Sequence, residues 1–86
     1  MDIRIGVVGI VLDDPKNDAQ RVNAILSKFS DIIKGRMGIP FEDKNISVIS
    51  LVVQGDTNRI GALTGNLGQL ERVAVKSALT SKIITQ

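Results

Sequence analysis

No cysteine and no histidine occurs among the 86 residues. Disulfides, thiolate nucleophiles, imidazole bases and most transition-metal sites are excluded together. Tryptophan and tyrosine are missing as well, which leaves Phe29 and Phe41 as the aromatic residues. No apolar run approaches the ~20 residues of a membrane-crossing helix. An excess of charge is also lacking. Lys and Arg number 11 against 9 Asp and Glu, a net charge of +2, too little to imply a nucleic-acid or membrane partner. The opening "MDIRIGVVGI" enters strand-like sequence with an acid at Asp2, unlike a secretory signal. A soluble cytoplasmic chain without cofactor is expected. Eighty-six residues suit one domain, 1–86, which buries only about 60–65% of its unfolded surface. Small domains add disulfides, a metal or a partner subunit, and here the partner subunit remains.

What is present follows a clear order. Ile3 to Leu12 is apolar apart from Arg4 and two glycines, as in a central strand buried on both faces. Asp14 caps a helix that has Pro15 in its first turn. Ala19, Val22, Ile25, Leu26 and Phe29 recur at helical spacing, with Asp18, Gln20, Arg21, Asn23 and Lys28 on the polar face. Ile32 to Ile39 reads as a second strand ended by Pro40, and Ile46 to Gln54 as a β-branched third. Asp56 caps a second helix carrying Ile60, Leu63, Thr64 and Leu67 inward, and Gly68 fits a left-handed closing residue. Arg72 to Leu79 alternates as a fourth strand, and about 80–86 is expected as a loose tail. This order predicts an α+β fold, the ferredoxin-like βαββαβ sandwich. Its four-stranded antiparallel sheet has two helices on one face.

Alternation divides the side chains between the faces. Ile49, Leu51, Val53, Val73 and Val75 are expected toward the helices. The open face is expected to hold Val48, Ser50, Val52, Ala74, Lys76 and Ala78, with Arg4, Gly6, Val8 and Ile10 from the first strand. Lys34, Arg36 and Gly38 join them from the second. Such a face has an apolar centre, a basic fringe and no carboxylate, the pattern of an interface. It predicts a homodimer or homotetramer through Val8, Ile10, Val48, Ser50 and Val52. Sheet-based RNA binders of this topology stack bases on aromatic residues of the central strands. Phe29 lies on a helix and Phe41 in a turn, so RNA binding is not expected. Direct DNA reading is not expected either, because no helix-turn-helix remains outside the six elements.

The stretch "GRMGIP" is the least ordinary. Pro40, Lys34 and Arg36 suit an edge strand. Gly35 and Gly38 around Arg36 and Met37 suit close approach of a ligand or a neighbouring backbone, and both readings stand. Gly61 and Gly65, one helical turn apart, suit close packing of the helix on the sheet or on a neighbour. The glycine-rich segment lacks the lysine of a phosphate loop.

"IIKGRMGIPFEDKNISVISLVVQGD" followed by "GALTGNLGQLERVAVKSA" resembles the iron-only hydrogenase system regulators. These are small proteins similar to ACT domains and to the C-terminal sensor domain of nickel-responsive repressors. The resemblance runs from about Arg4 to Ala78. It implies a single ACT-like domain with a regulatory, non-catalytic role, binding a small anionic or amino-acid-like ligand or a partner protein. The repressors' metal site does not transfer, since its histidines and cysteine are absent. The ACT ligand loop corresponds to residues 12–17, where Asp13, Asp14 and Asn17 suit either a ligand ammonium or a helix cap with a solvated neighbour. That loop lacks the glycine that commonly opens it. Acylphosphatases share this topology, but their chemistry uses an arginine in that loop, and the loop here has Lys16. The alternative to a ligand-binding module is a structural subunit with no ligand of its own.

Overall fold

Strand β1 (Asp2–Leu12) lies inside the sheet, and its neighbours fix which way its side chains point. The structure, a computed structural model, describes residues 2–80, 84 and 85. After β1 come α1 (Pro15–Lys28), β2 (Ile33–Phe41), a 3₁₀ turn (Glu42–Lys44) and β3 (Ile46–Asp56). They are followed by α2 (Thr57–Gly68), β4 (Val73–Leu79) and the two-residue β5 (Ile84–Thr85). The sheet order is β2-β3-β1-β4 with every pairing antiparallel, the ferredoxin-like arrangement. β5 pairs with Asp2 and Ile3 of β1, so part of the expected loose tail is strand. Residues 81–83 and 86 of that tail lie outside the described residues.

Directly opposed residues of an antiparallel pair share a face. Val8 stands opposite Leu51 and Ile10 opposite Ile49, and Leu51 and Ile49 pack under the helices. Val8 and Ile10 are therefore core residues, each 0% exposed, and not part of the open face. The expected phase of β1 is reversed. An almost uniformly apolar strand carries no alternation from which to read a phase. Beside them lie Val22 and Leu26 of α1, Phe29 at its C-terminal cap, and Ile60, Leu63 and Leu67 of α2, the helix faces that the 3.6-residue spacing predicts.

Local signals held in part. The Asp56 carboxylate accepts from Asn58 N at 2.7 Å and Arg59 N at 3.3 Å, an N-cap that satisfies two open helix donors. Asp14 caps with its backbone alone: its carbonyl accepts from Asp18 N at 3.0 Å, while its carboxylate accepts from Asn17 Nδ2 at 2.7 Å. No glycine adopts a positive φ, so Gly68 is the last residue of α2 and not a left-handed cap. Consecutive tight turns, Gln69 N to Asn66 O and Leu70 N to Leu67 O, bring the chain to β4 instead. β2 continues through Pro40 to Phe41, because an edge strand can spare the missing N–H. A Cβ at Gly61 or Gly65 would meet nothing within 4 Å. Neither glycine is there to let α2 approach its own sheet.

Candidate functional site

The pairing registers build the open face row by row. Gly35, Val52, Val7 and Ala78 form one row across all four long strands. Met37, Ser50, Gly9 and Lys76 form the next, and Ile39, Val48, Val11 and Ala74 the third. Phe41 and Ile46 close one corner. Lys76 is the one charged residue in these rows, and no carboxylate joins it. Val7, Met37, Ile39, Phe41 and Val52 are each between 44% and 59% exposed. Gly9 and Ser50 at the centre, and Ala74 and Ala78 along the β4 edge, leave the surface low, with larger apolar side chains around Gly9 and Ser50. Its three rows bring no carboxylate or imidazole to Lys76 or Ser50; the surface can bury another apolar surface.

Val48, Ser50 and Val52 occupy this face as expected, and two groups do not. Val8 and Ile10 lie in the core, and Ile5, Val7 and Val11 replace them. Lys34, Arg36 and Gly38 also leave the face. A bulge between Ile33 and Gly35 takes up Lys34, and beyond it Arg36 opposes Leu51 and Gly38 opposes Ile49, on the helix side. Arg4 shares the phase of Val8, and its Nη1 donates to the Thr80 carbonyl at 3.3 Å. The basic fringe thus reduces to Lys76. Met37, Ile39 and Phe41 were legible as face residues, since they alternate with Arg36, Gly38 and Pro40 once the strand is carried past the proline. Phe41, expected in a turn, sits on the face at its edge. The central strands contribute no aromatic to it.

Arg36 reaches α1, where its Nη2 donates to Asn23 Oδ1 at 3.0 Å. With Leu26, Ser27, Ser30 and Ile33 it borders a shallow hollow of about 190 Å³. A Cβ at Gly35 would meet nothing within 4 Å, and one at Gly38 would lie 3.9 Å from Ile49, so no contact within the chain demands either glycine. Asp13, Asp14 and Asn17 lie at the turn between β1 and α1. By strand rise and spacing that turn is roughly 20 Å from Arg36. The two sets of expected ligand residues do not come together within one chain. Arg36→Ala removes one exposed hydrogen bond and should change stability by no more than about 0.5 kcal/mol. Chemical denaturation checks this, and a larger loss would make Arg36 a structural residue.

One polar cluster escaped the sequence reading. Asp18, expected on the solvated face of α1, is 2% exposed. Arg72 Nε donates to its Oδ2 at 3.0 Å and Arg72 Nη2 to its Oδ1 at 3.1 Å, with Asp14 Oδ2 3.9 Å from Arg72 Nη1. These hydrogen bonds, and secondarily the charge of Arg72, hold the Asp18 carboxyl below its ordinary value against the opposing effect of burial. The same bonds raise Arg72. The signal was present: Asp18 precedes Val22 and Leu26 at four-residue intervals, in line with the buried stripe. A second arginine, Arg59, bonds Asp31 at 2.8 Å and the Lys28 carbonyl at 2.9 Å and lies 4.4 Å over the Phe29 ring, tying α2 to the end of α1. Among the described residues no three His, Cys, Asp or Glu side chains gather to hold a metal, and no helix is long and apolar enough to cross a membrane.

Residues 4–77 match the TM1266-like family model, described as "Iron-only hydrogenase system regulator, putative". The uncharacterized protein TM1266 from Thermotoga maritima has a similar structure, with a TM-score of 0.87 and 37% identity over 92% of this chain and 99% of that one. The C-terminal domain of the MgtC protein from Mycobacterium tuberculosis is similar at a TM-score of 0.65 and 18% identity, over 91% of this chain and 88% of that one. CPII from Thiomonas intermedia K12, a nitrogen regulatory PII-like protein, is similar in its apo form at a TM-score of 0.60 and 10% identity, over 96% and 97% of the two chains. The same protein bound to ADP, AMP and bicarbonate gives a TM-score of 0.54 at 11% identity, over 93% and 94%. At such identities the last two proteins share the fold alone. No curated protein matches the chain in sequence.

Proposed function

Because this chain belongs to the TM1266-like family of iron-only hydrogenase system regulators, we propose that it is a non-catalytic regulatory module, a homo-oligomer that binds a small ligand or a partner protein in the cytoplasm. The observation that carries the reading is the open sheet face, apolar across three rows with Lys76 as its one charge. A domain of this size gains stability by covering such a surface, and a second copy supplies a matching one. Val7, Val48, Ser50 and Val52 lie at the centre of that contact. Arg36, with Gly35, Met37 and Gly38 around it, and the turn of Asp13, Asp14 and Asn17 are the proposed ligand contacts. Their separation within one chain means that a single ligand touching both sets would bridge two copies. CPII, of the same fold, binds ADP, AMP and bicarbonate, which supports an anionic small molecule as the class to test first. Neither DNA nor RNA is part of the proposal.

Sedimentation at micromolar concentration should give a dimer or larger species. A thermal-shift screen against nucleotides, amino acids and inorganic anions should find a ligand that raises the melting point, since about 100-fold excess over Kd adds roughly 2.7 kcal/mol. An oligomer that no compound stabilises would favour the structural-subunit reading. A monomer with no ligand response would remove both.

A further inference from the structure

The two edges of the sheet are built differently, and only one is closed to further strands. On β2, Pro40 lacks an N–H, a bulge interrupts the ladder at Lys34, and Lys34 and Arg36 add charge. These are the devices that blunt an edge. β4 has no proline and no bulge, and Lys76 is its one charged residue. Among the described residues it pairs with β1 alone. Asp13 N donates to Arg72 O and Thr80 N donates to Ile5 O, so the even-numbered residues of β4 turn their backbone groups toward β1. By the alternation of an antiparallel ladder, Val75 and Ser77 turn theirs outward.

The helix beside that edge is cut back in the same place. Gly61, Gly65 and Gly68 follow at i, i+4 and i+7 on α2, and a Cβ at any of them would meet nothing within 4 Å. With Thr64, Val75 and Ser77 they line a groove of about 580 Å³ between α2 and β4. Three glycines lower intrinsic helix stability, and nothing within the chain needs their small size.

We propose that β4 and the glycine face of α2 form a second self-association surface, in which two copies join edge to edge so that their eight long strands make one continuous sheet. This surface is separate from the open face. The occupant is a second copy because the surface complements itself. A two-fold axis at Val75 sets Val75 against its own counterpart, Val73 against Ser77, and Lys76 against Ala74. Each Val75 exchanges two backbone hydrogen bonds with the other, and each Ser77 N–H donates to the opposite Val73 carbonyl. Shifting the axis to Lys76 would oppose two like charges, which is unfavourable. α2 packs chiefly on β4, and also on β3 and β1, so its glycine face borders the seam along the same groove as Val75 and Ser77.

Two substitutions and one exchange measurement test the seam. Ser77→Pro removes an outward N–H and leaves the ladder to β1 intact. Gly65→Gln fills the groove while favouring the helix. Each should weaken association by about tenfold or more and lower the sedimenting mass, with Gly65→Gln melting no lower than the parent once the subunits are separated. Amide exchange of Val75 and Ser77 should be slow in the parent and fast in both variants. Retention of the parent mass by Gly65→Gln, or open-strand exchange at Val75 and Ser77 in the parent, would overturn the seam even if Ser77→Pro failed to fold. Val7→Asp reads the other surface. If it alone reduces the mass, the seam falls and the sheet-face contact stands; if the β4 and α2 variants alone do so, the sheet-face contact falls.

Discussion

Val8→Asp is expected to lose half or more of the fold's stability, whereas Val7→Asp, one residue earlier, keeps the fold and loses the sheet-face contact. Val8 is 0% exposed and faces Leu51 under the helices. An uncompensated buried charge costs roughly 3–5 kcal/mol, and a domain this small has about 5–10 kcal/mol in all. Val7 is 46% exposed, opposite Val52 and Ala78 on the open face. Its carboxylate stays hydrated in the separate chain and is desolvated only where a second copy covers the face. Circular dichroism and sedimentation on the two variants separate these outcomes. A Val7→Asp variant with the parent's mass would remove the open face as a contact. A Val8→Asp variant as stable as the parent would mean that the phase of β1 is wrong.

Arg72→Met should lower the melting point by several degrees at neutral pH, and the deficit should shrink in acid. In the parent the Asp18 carboxyl is held below its ordinary 3.8, first by hydrogen bonds from Arg72. A depressed carboxyl stabilises the fold above its unfolded value, and that contribution disappears as pH falls through the folded value. Methionine keeps much of the arginine's volume and removes the donors. Burial then acts on Asp18 with far less opposition and raises its pKa. The variant is worst where Asp18 is charged, near neutrality, and approaches the parent as acid protonates the group. Adding Asp18→Asn to Arg72→Met removes the titrating group and should flatten the difference. Thermal melts of the three proteins between acid and neutral pH decide the matter. A deficit independent of pH would mean that Arg72 acts through packing alone.

Some of this was written in local patterns and some was not. The two helices were legible because Val22, Leu26 and Phe29, and Ile60, Leu63 and Leu67, repeat at a period that only a helix turns into one face. β3 was legible in phase because Ile49, Leu51 and Val53 alternate with Val48, Ser50 and Val52, and the smaller set lies outside. β2 misled by its bulge: one extra residue at Lys34 shifts everything beyond it to the other face. Counting from Ile33 therefore put Arg36 where Met37 belongs. Asp18 misled by residue type. A carboxylate is assigned to solvent unless its partner is known, and the partner lies 54 residues away.

By itself, then, the sequence determined the order of elements, the sheet with helices on one side, and the exclusion of cysteine and histidine chemistry. Each of these follows from residue type and from periods within a few residues. Only the tertiary structure decided the phase of β1, the burial of Asp18 against Arg72, and which sheet edge is left open. These depend on which residue lies across a ladder or beneath a helix. In β1, where nearly every residue is apolar, either face would satisfy the hydrophobic effect. The choice passes to the register with β3, which sets Val8 against Leu51, and that pairing exists only once the chain has folded.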